Sequence, residues 1–280
     1  MSAAAVMSPQ DFGFICDLLR RKSAIVLDPG KEYLAEFRLG ALAKREGFES
    51  TAAMIARLRA RPNDLLQTRV VEVMTTNETS FFRDLHPFEA LRSHVLRALC
   101  ARRTQERRLT IWCAASSSGQ EPYSVAMILR ELGIHAPLWN VKFVATDLSH
   151  EMVTRCREGR YSLFEVNRGL PALMLAKHFK NVDGGYQASA ELRNMIEFST
   201  ANLLEHWPIA TGIDLVMMRN VLIYFDTETK RQILKRVRRV LSPFGCLFLG
   251  AAETTLNLDN ELHKHQHGKA TWYQPSPTPL

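Results

Sequence analysis

A doubly wound, mostly parallel α/β sheet is the fold class this 280-residue chain predicts, with a small all-α domain ahead of it and a small antiparallel β subdomain inserted into it. Up to about residue 75 the apolar residues recur at helical spacing. Beyond residue 107 short apolar strands alternate with helical stretches, which is the pattern of a parallel sheet covered on both faces. Between Gly159 and Ala190 the alternation stops and a turn-rich segment replaces it.

The helical part opens on "SPQDF", with Ser8 as N-cap, Pro9 in the first turn and Asp11 near the positive helix end. Phe12, Ile15, Leu18 and Leu19 then share a face. "DPGK" breaks the chain, and Tyr33, Leu34, Phe37 and Leu42 mark a second helix. Met54, Ile55 and Leu58 mark a third, and Asn63 is a candidate cap for a fourth carrying Leu66, Val70 and Val73. Next comes "TTNETSFFRD", polar side chains beside two Phe and an Arg. A polar linker with a helix cap at Ser80 or Asp84 accounts for the polar residues; it leaves Phe81, Phe82 and Arg83 unexplained.

A helix is expected from Pro87 to about Arg103, with Phe88, Leu91, Val95 and Leu99 in register. "RLTIWCAA" reads as a buried strand, "SSSGQEPYS" as a loop, and Tyr123 to Leu132 as a helix. "VKFVATD" is a second strand, and Ser149 to about Glu158 a helix. In the inserted segment "PALMLAKHF" reads as a helix and "VDGGYQ" as a hairpin turn. "NMIEFST", "GIDLVMM", "GCLFLGA" and "ATWYQ" are further strands, with a helix from about Thr227 to Leu241; the tail "QPSPTPL" is expected to fray.

With 46% hydrophobic residues the chain can bury a sizeable core. No run of about 18 apolar residues suggests a membrane span, and "MSAAAVMSPQDF" lacks the pattern of an export signal. Five scattered cysteines without a CxxC pair predict reduced thiols in a cytoplasmic protein. The net charge of +7 points to an acidic partner without naming its class. Arg83, Arg92, Arg97, Arg102, Arg103, Arg107 and Arg108 face only Asp84, Glu89 and Glu106, as either a solvated helix face or a docking surface. Aromatic residues are too sparse there for a single-strand nucleic-acid groove.

An open parallel sheet binds ligands beyond the carboxyl ends of its strands. The first such end, "AASSSGQEPYS", has neither a GxGxxG fingerprint nor a Walker lysine, which disfavours a nicotinamide oxidoreductase. Glu121 suits a cationic ligand group such as an amine, or serves as a helix N-terminal charge. Asp147 can accept bonds from two ribose hydroxyls, or cap the next helix, as Ser149 also could. Asn202, in "ANLLE", can read an adenine edge. Arg219, Asn220 and Tyr224 fall close together in an apolar stretch, where a buried Arg needs an anionic partner. A ribose acceptor, an adenine reader, an acid and a carboxylate site together describe S-adenosylmethionine.

"MTTNETSFFRD", "SSSGQEPYSVAM", "ATDLS", "ANLLE" and "RNVLIYFD", in this order and spacing, closely resemble the chemotaxis protein methyltransferases. The resemblance covers nearly the whole chain. It implies a Rossmann-like methyltransferase sheet and transfer of the methyl of S-adenosylmethionine to glutamates on cytoplasmic helices of chemoreceptors, leaving S-adenosylhomocysteine. It implies cofactor contacts from Asn77, Thr79, Arg83, Glu121, Asp147, Asn202, Leu203, Arg219 and Asn220. It also implies an inserted subdomain that in some members grips a peptide at the receptor C-terminus. The expected domains are 1–75, all-α; 76–90, a linker contacting the cofactor; and 91–280, the cofactor-binding domain with its insertion at about 160–195. On this reading Arg83 holds the cofactor carboxylate or orients the incoming glutamate, and Phe81 and Phe82 exclude water. Arg83 and Tyr224 are the groups expected to place the acceptor, Tyr224 serving alternatively as a pocket wall.

The chain departs from the family pattern at Gln120, where a second acid is usual, and at "GAAETT", where "GHSE" is commoner and Glu253 is retained. No metal is expected; "HKHQH" is read as flexible surface histidines. A nucleic-acid methyltransferase is disfavoured because "RNVLIY" lacks the D/N-P-P-Y/F stretch of amino-methylating DNA enzymes. A non-catalytic cofactor-binding scaffold is the other alternative. The partner expected is the receptor cytoplasmic domain, with no nucleic acid and no membrane insertion, and the chain is expected to be a monomer.

Overall fold

Helix caps and apolar spacing build the first of two units. The computed structural model describes residues 7–61, 65–209 and 211–278. Asn63, the candidate cap, and the last two residues of the tail lie outside the described residues. Contacts divide the chain into Met1–Thr76 with Tyr224–Thr229, and Asn77–Ile223 with Lys230–Leu280.

In the first unit, α1 (Pro9–Ser23) starts where the Ser8 side chain accepts the Asp11 amide at 3.1 Å. It buries Phe12, Ile15, Leu18 and Leu19. α2 (Glu32–Arg45) forms as expected, yet its buried face is Ala35, Leu39, Leu42 and Ala43. Tyr33 and Phe37, which mark the helix in the sequence, are 68% and 79% exposed. They share a stripe by their i, i+4 spacing, but the smaller residues on another stripe are the ones that pack. α3 (Thr51–Ala60) is capped by Ser50, and α4 (Leu65–Met74) buries Leu66, Val70 and Val71. Arg38 ties α2 to the end of α4, donating to the carbonyls of Met74 and Thr75 at 2.7 and 2.9 Å.

The second unit begins with one helical stretch, α5 (His86–Ala90) and α6 (Leu96–Arg102), joined through a π-helical turn at Leu91–Val95. Phe88, Leu91, Val95 and Leu99 are buried, as their register predicts. Then follow β1 (Arg108–Ala114), α7 (Gln120–Glu131), β2 (Asn140–Asp147) and α8 (His150–Glu158). α7 starts three residues before the expected Tyr123, because Gly119 takes a φ of 97° and turns the chain into the helix at once. The insertion is β3 (Arg160–Tyr161), α9 (Leu163–Asn167), α10 (Ala172–His178), β4 (Phe179–Val182) and β5 (Gly185–Ala188). After α11 (Ala190–Arg193) come β6 (Glu197–Thr200), β7 (Ile213–Met218), α12 (Thr227–Val240), β8 (Leu241–Leu249), β9 (His263–His267) and β10 (Ala270–Gln274).

The main sheet has the order β6-β2-β1-β7-β8-β10-β9, parallel from β6 to β8, with β10 and β9 antiparallel at the far edge. The expectation that "HKHQH" is flexible is corrected: it is the edge strand β9, paired residue for residue with β10. It contains no apolar residue, so only its pairing marks it as a strand. His267 stacks on His94 with ring centroids 4.8 Å apart. The small sheet, β3-β5-β4, is antiparallel. Gly185 is required at its hairpin, since a Cβ there would lie 2.2 Å from the Tyr161 carbonyl oxygen. Phe81 packs edge-on against Tyr161 and Phe179 at 5.0 and 5.6 Å. The five cysteines are free. Among the described residues no helix is long and apolar enough to cross a membrane.

Candidate functional site

The strand order reverses between β1 and β7: the chain moves outward through β2 to β6, then returns to the other side of β1. The crevice beyond the carboxyl ends of β1 and β7 is therefore where a ligand is expected. The segments that follow β1, β2, β6, β7 and β8 carry most of the side chains singled out in the sequence.

Asp147 ends β2 and is 6% exposed. Its carboxylate accepts the amides of Ser117 at 2.7 Å and Ser149 at 2.9 Å. Its carbonyl accepts the Ala201 amide at 2.8 Å. Asp147 thus ties together the chain segments leaving β1, β2 and β6. Ser149 caps α8, so Asp147 is not the cap. Each carboxylate oxygen accepts one of these backbone amides. Ser117, in turn, donates its hydroxyl to the Asn77 carbonyl at 2.7 Å, which holds the "TTNETSFFRD" segment against the β1 loop. Thr79 lies half-buried in that segment.

Asn202 follows β6; its side-chain oxygen accepts the Leu204 amide at 3.1 Å, and its amide faces Glu205 at 3.3 Å. The Leu203 carbonyl accepts from the Trp207 indole at 3.2 Å and from Arg236 at 2.7 Å, and its side chain is buried. Trp207 in turn packs at 4.7 Å from Trp112 in the centre of β1.

The anionic partner that a buried Arg219 requires comes from within the chain. Arg219 is 5% exposed and donates to Glu121 Oε2 at 2.9 Å, to Asp84 Oδ2 at 2.6 Å and to the Arg83 carbonyl at 3.0 Å. Its Nε is buried without a hydrogen-bond partner. Burial pushes the Glu121 carboxyl above the ordinary carboxylate range, and the Arg219 charge opposes that rise. The Arg83 guanidinium itself donates to the Glu78 carbonyl at 3.0 Å. Phe82, Asp84 and Leu85 all have positive φ, of 49°, 66° and 45°. This left-handed turn is pinned by Arg219 at one end and by the Phe82 amide bonding Ser124 Oγ at 3.0 Å at the other.

Asn220 follows with φ 59°, its amide held by Glu253 at 2.8 Å. Tyr224 groups with the N-terminal helices, and its carbonyl accepts the Val26 amide at 2.9 Å. Ser117 and Glu253 of the site were assigned no part by the sequence, and Asp84 only that of a candidate helix cap, a place that Leu85 takes before α5. Ser117 lies in a loop the sequence did single out. Asp84 carries no local signal of its bond to Arg219, because that partner stands 135 positions away. No thiolate stands ready here. The Cys156 thiol, which donates to the Ser117 carbonyl at 3.1 Å, is pushed up to about 12 by burial.

The donor set fits an adenosyl amino acid. A buried carboxylate ends β2, an amide side chain follows β6, an acid-guanidinium pair lies between α7 and the end of β7, and the guanidinium keeps one unmet buried N–H. Comparison with known proteins gives the same result. "CheR methyltransferase, SAM binding domain" matches residues 77–273, and "CheR methyltransferase, all-alpha domain" matches residues 10–75. The chain is 37% identical to "Chemotaxis protein methyltransferase Cher2" of Pseudomonas putida, covering 94% of this chain and 97% of that protein. It is 39% identical to "Chemotaxis protein methyltransferase 1" of Pseudomonas aeruginosa, over 89% and 91% of the two chains. With "Chemotaxis protein methyltransferase" of Salmonella typhimurium it shares 34% identity over 93% and 89%. The chain belongs to the CheR methyltransferase family, whose cofactor is S-adenosylmethionine.

Proposed function

We propose that this chain is a cytoplasmic protein-glutamate O-methyltransferase that forms methyl esters on the cytoplasmic helices of chemotaxis receptors. One observation carries the reading: the carboxyl ends of β1, β2, β6 and β7 converge on Asp147 and on the Arg219–Glu121 pair, in a chain whose relatives are named for chemotaxis methylation. Asp147 holds the ribose hydroxyls, Asn202 and Leu203 meet the adenine, and Glu121 holds the amino group. Asn77, Thr79, Asn220 and Arg219 line the same crevice.

When bound, S-adenosylmethionine supplies a methyl already activated on its sulfonium. A glutamate side chain, with an ordinary pKa of about 4.3, is already an anion at neutral pH and needs no base to deprotonate it. The protein's work is then positioning and exclusion of water. Phe81 and Phe82, both buried, keep the crevice edge dry, and Arg83 orients a carboxylate there. Tyr224 is assigned to the acceptor on the strength of the "RNVLIYFD" motif alone.

The inserted β subdomain suits an extended peptide from a receptor tail. A groove of about 530 Å³ runs beside its hairpin, lined by Leu163, Asn181, Val182, Asp183 and Tyr186. β3 and β4 are edge strands, which offer unpaired backbone groups to an added strand.

The test is a labelled-methyl transfer assay on receptor cytoplasmic fragments, with DNA and RNA as competing acceptors. The expected product is a base-labile ester on receptor glutamate. Label entering nucleic acid contradicts the reading, and cofactor binding without any transfer supports a non-catalytic scaffold instead.

A further inference from the structure

Glu121 and Arg219 raise a problem of charge. Glu121 is expected to receive the cofactor's ammonium group, yet its Oε2 already accepts from Arg219 at 2.9 Å. Arg219 has a 1% exposed side chain, so stripping it of its carboxylate would leave a buried cation uncompensated. A second carboxylate is in place. Asp84 Oδ2 accepts from the other terminal nitrogen of Arg219 at 2.6 Å. Asp84 is held there by backbone geometry: it lies at φ 66° in the turn that begins at Phe82, and Arg219 also grips the neighbouring Arg83 carbonyl at 3.0 Å. Arg219 therefore has two carboxylates bonded to it, and one suffices as its counter-ion while the other can meet a cation arriving with the ligand.

We propose that Asp84 is a positioning residue for cofactor binding: as the standing counter-ion of Arg219, it frees Glu121 to take the ammonium group of the cofactor's amino-acid arm. The inference rests on the cofactor reading above. Asp84 touches no ligand atom in this scheme and acts through Arg219 and Glu121. It makes the amino-acid arm of the ligand, and not its adenosine, sensitive to a charge at position 84. Burial supports the division of labour, since it raises the Glu121 carboxyl and makes that group dependent on nearby positive charge.

The distinguishing variant is Asp84→Asn. Asn tolerates the left-handed conformation as well as Asp does, so the turn keeps its shape. Its side-chain oxygen still accepts from Arg219; only the charge is lost. Arg219 then leans on Glu121 alone. Calorimetric titrations compare S-adenosylhomocysteine with 5′-methylthioadenosine, which keeps the adenosine and lacks the amino-acid arm. Asp84→Asn is expected to weaken S-adenosylhomocysteine about three- to tenfold, as for a charge on a 40% exposed carboxylate acting through the buried Arg219, and to leave 5′-methylthioadenosine within about twofold. In steady-state assays KM for the cofactor rises while kcat holds. The inference is overturned by an unchanged affinity for S-adenosylhomocysteine. It is equally overturned if both ligands weaken together, which marks a merely structural part for Asp84. Wild-type protein that binds neither compound overturns the cofactor reading along with it.

Discussion

The Glu253 carboxylate accepts the backbone amide of Asn220 at 2.8 Å. The same group accepts the amides of Gly250 at 2.6 Å and Ile223 at 3.2 Å, so one side chain laces the end of β7 to the end of β8. Gly250 is needed for that approach, because a Cβ there would lie 2.6 Å from Asn220 Nδ2. The retained Glu of the "GAAETT" departure therefore has a mechanical part, and the family's usual His is not needed for it. Glu253→Ala leaves these amides without their acceptor, a cost of roughly 1–3 kcal/mol. Urea denaturation should show that loss, and calorimetry should show weaker binding of S-adenosylhomocysteine.

Asp147 is the second lacing point. Asp147→Asn keeps one acceptor oxygen, so either the Ser117 or the Ser149 amide loses its partner, and the charge facing the ribose is removed. Affinity for S-adenosylhomocysteine should fall by about ten- to hundredfold, the range for a hydrogen bond to a charged group. Calorimetric titration of the variant checks this.

Stability should fall with acidification in two stages. His178 is 4% exposed, and burial holds its imidazole below the ordinary value of about 6.5 even though Glu131 lies 3.1 Å away. As pH falls the unfolded chain protonates first. The His178 contribution is thus complete above about pH 6.5 and is lost as pH drops through its lower folded value. Glu131 is held below the ordinary carboxylate range first by its hydrogen bond with Lys177 at 2.6 Å. Its contribution is complete above about pH 4.3 and is lost on further acidification. The urea midpoint of the wild-type protein should fall between pH 7 and 5, and that of His178→Gln should fall less.

The legible part of the fold was whatever repeats along the chain. The strands "RLTIWCAA", "VKFVATD" and "GIDLVMM" are continuous apolar runs, and they are the central strands β1, β2 and β7. Ser8 and Ser149 act as caps because a cap is a local device. β9 was hidden because an exposed edge strand needs no apolar residue. The buried face of α2 was not legible, because Tyr33 and Phe37 outweigh Ala35 and Ala43 in any count of apolar bulk, although the alanines pack. At the site, the need of Arg219 for an anion could be read from its apolar neighbours, but the anion could not. Glu121 and Asp84 are 98 and 135 positions distant, and only the folded chain brings them together.

Charge should steer the encounter with the receptor. The first unit exposes Arg20, Arg21, Lys22, Lys44 and Arg45, and the chain carries +7 overall. Acidic methylation helices would be attracted over distances comparable to the Debye length, about 8 Å at physiological salt. Affinity for receptor fragments should weaken as salt is added, with the larger effect on the association rate. Surface plasmon resonance across a salt series checks this, and a salt-independent rate argues against steering.

The most direct measurement is a calorimetric titration of the purified protein with S-adenosylhomocysteine, repeated with Glu121→Gln and Asp147→Asn. Saturable heat at a single site in the wild-type protein, weakened in both variants, is the predicted result. No heat from the wild-type protein, or binding indifferent to both substitutions, would contradict a cofactor crevice built on those two carboxylates.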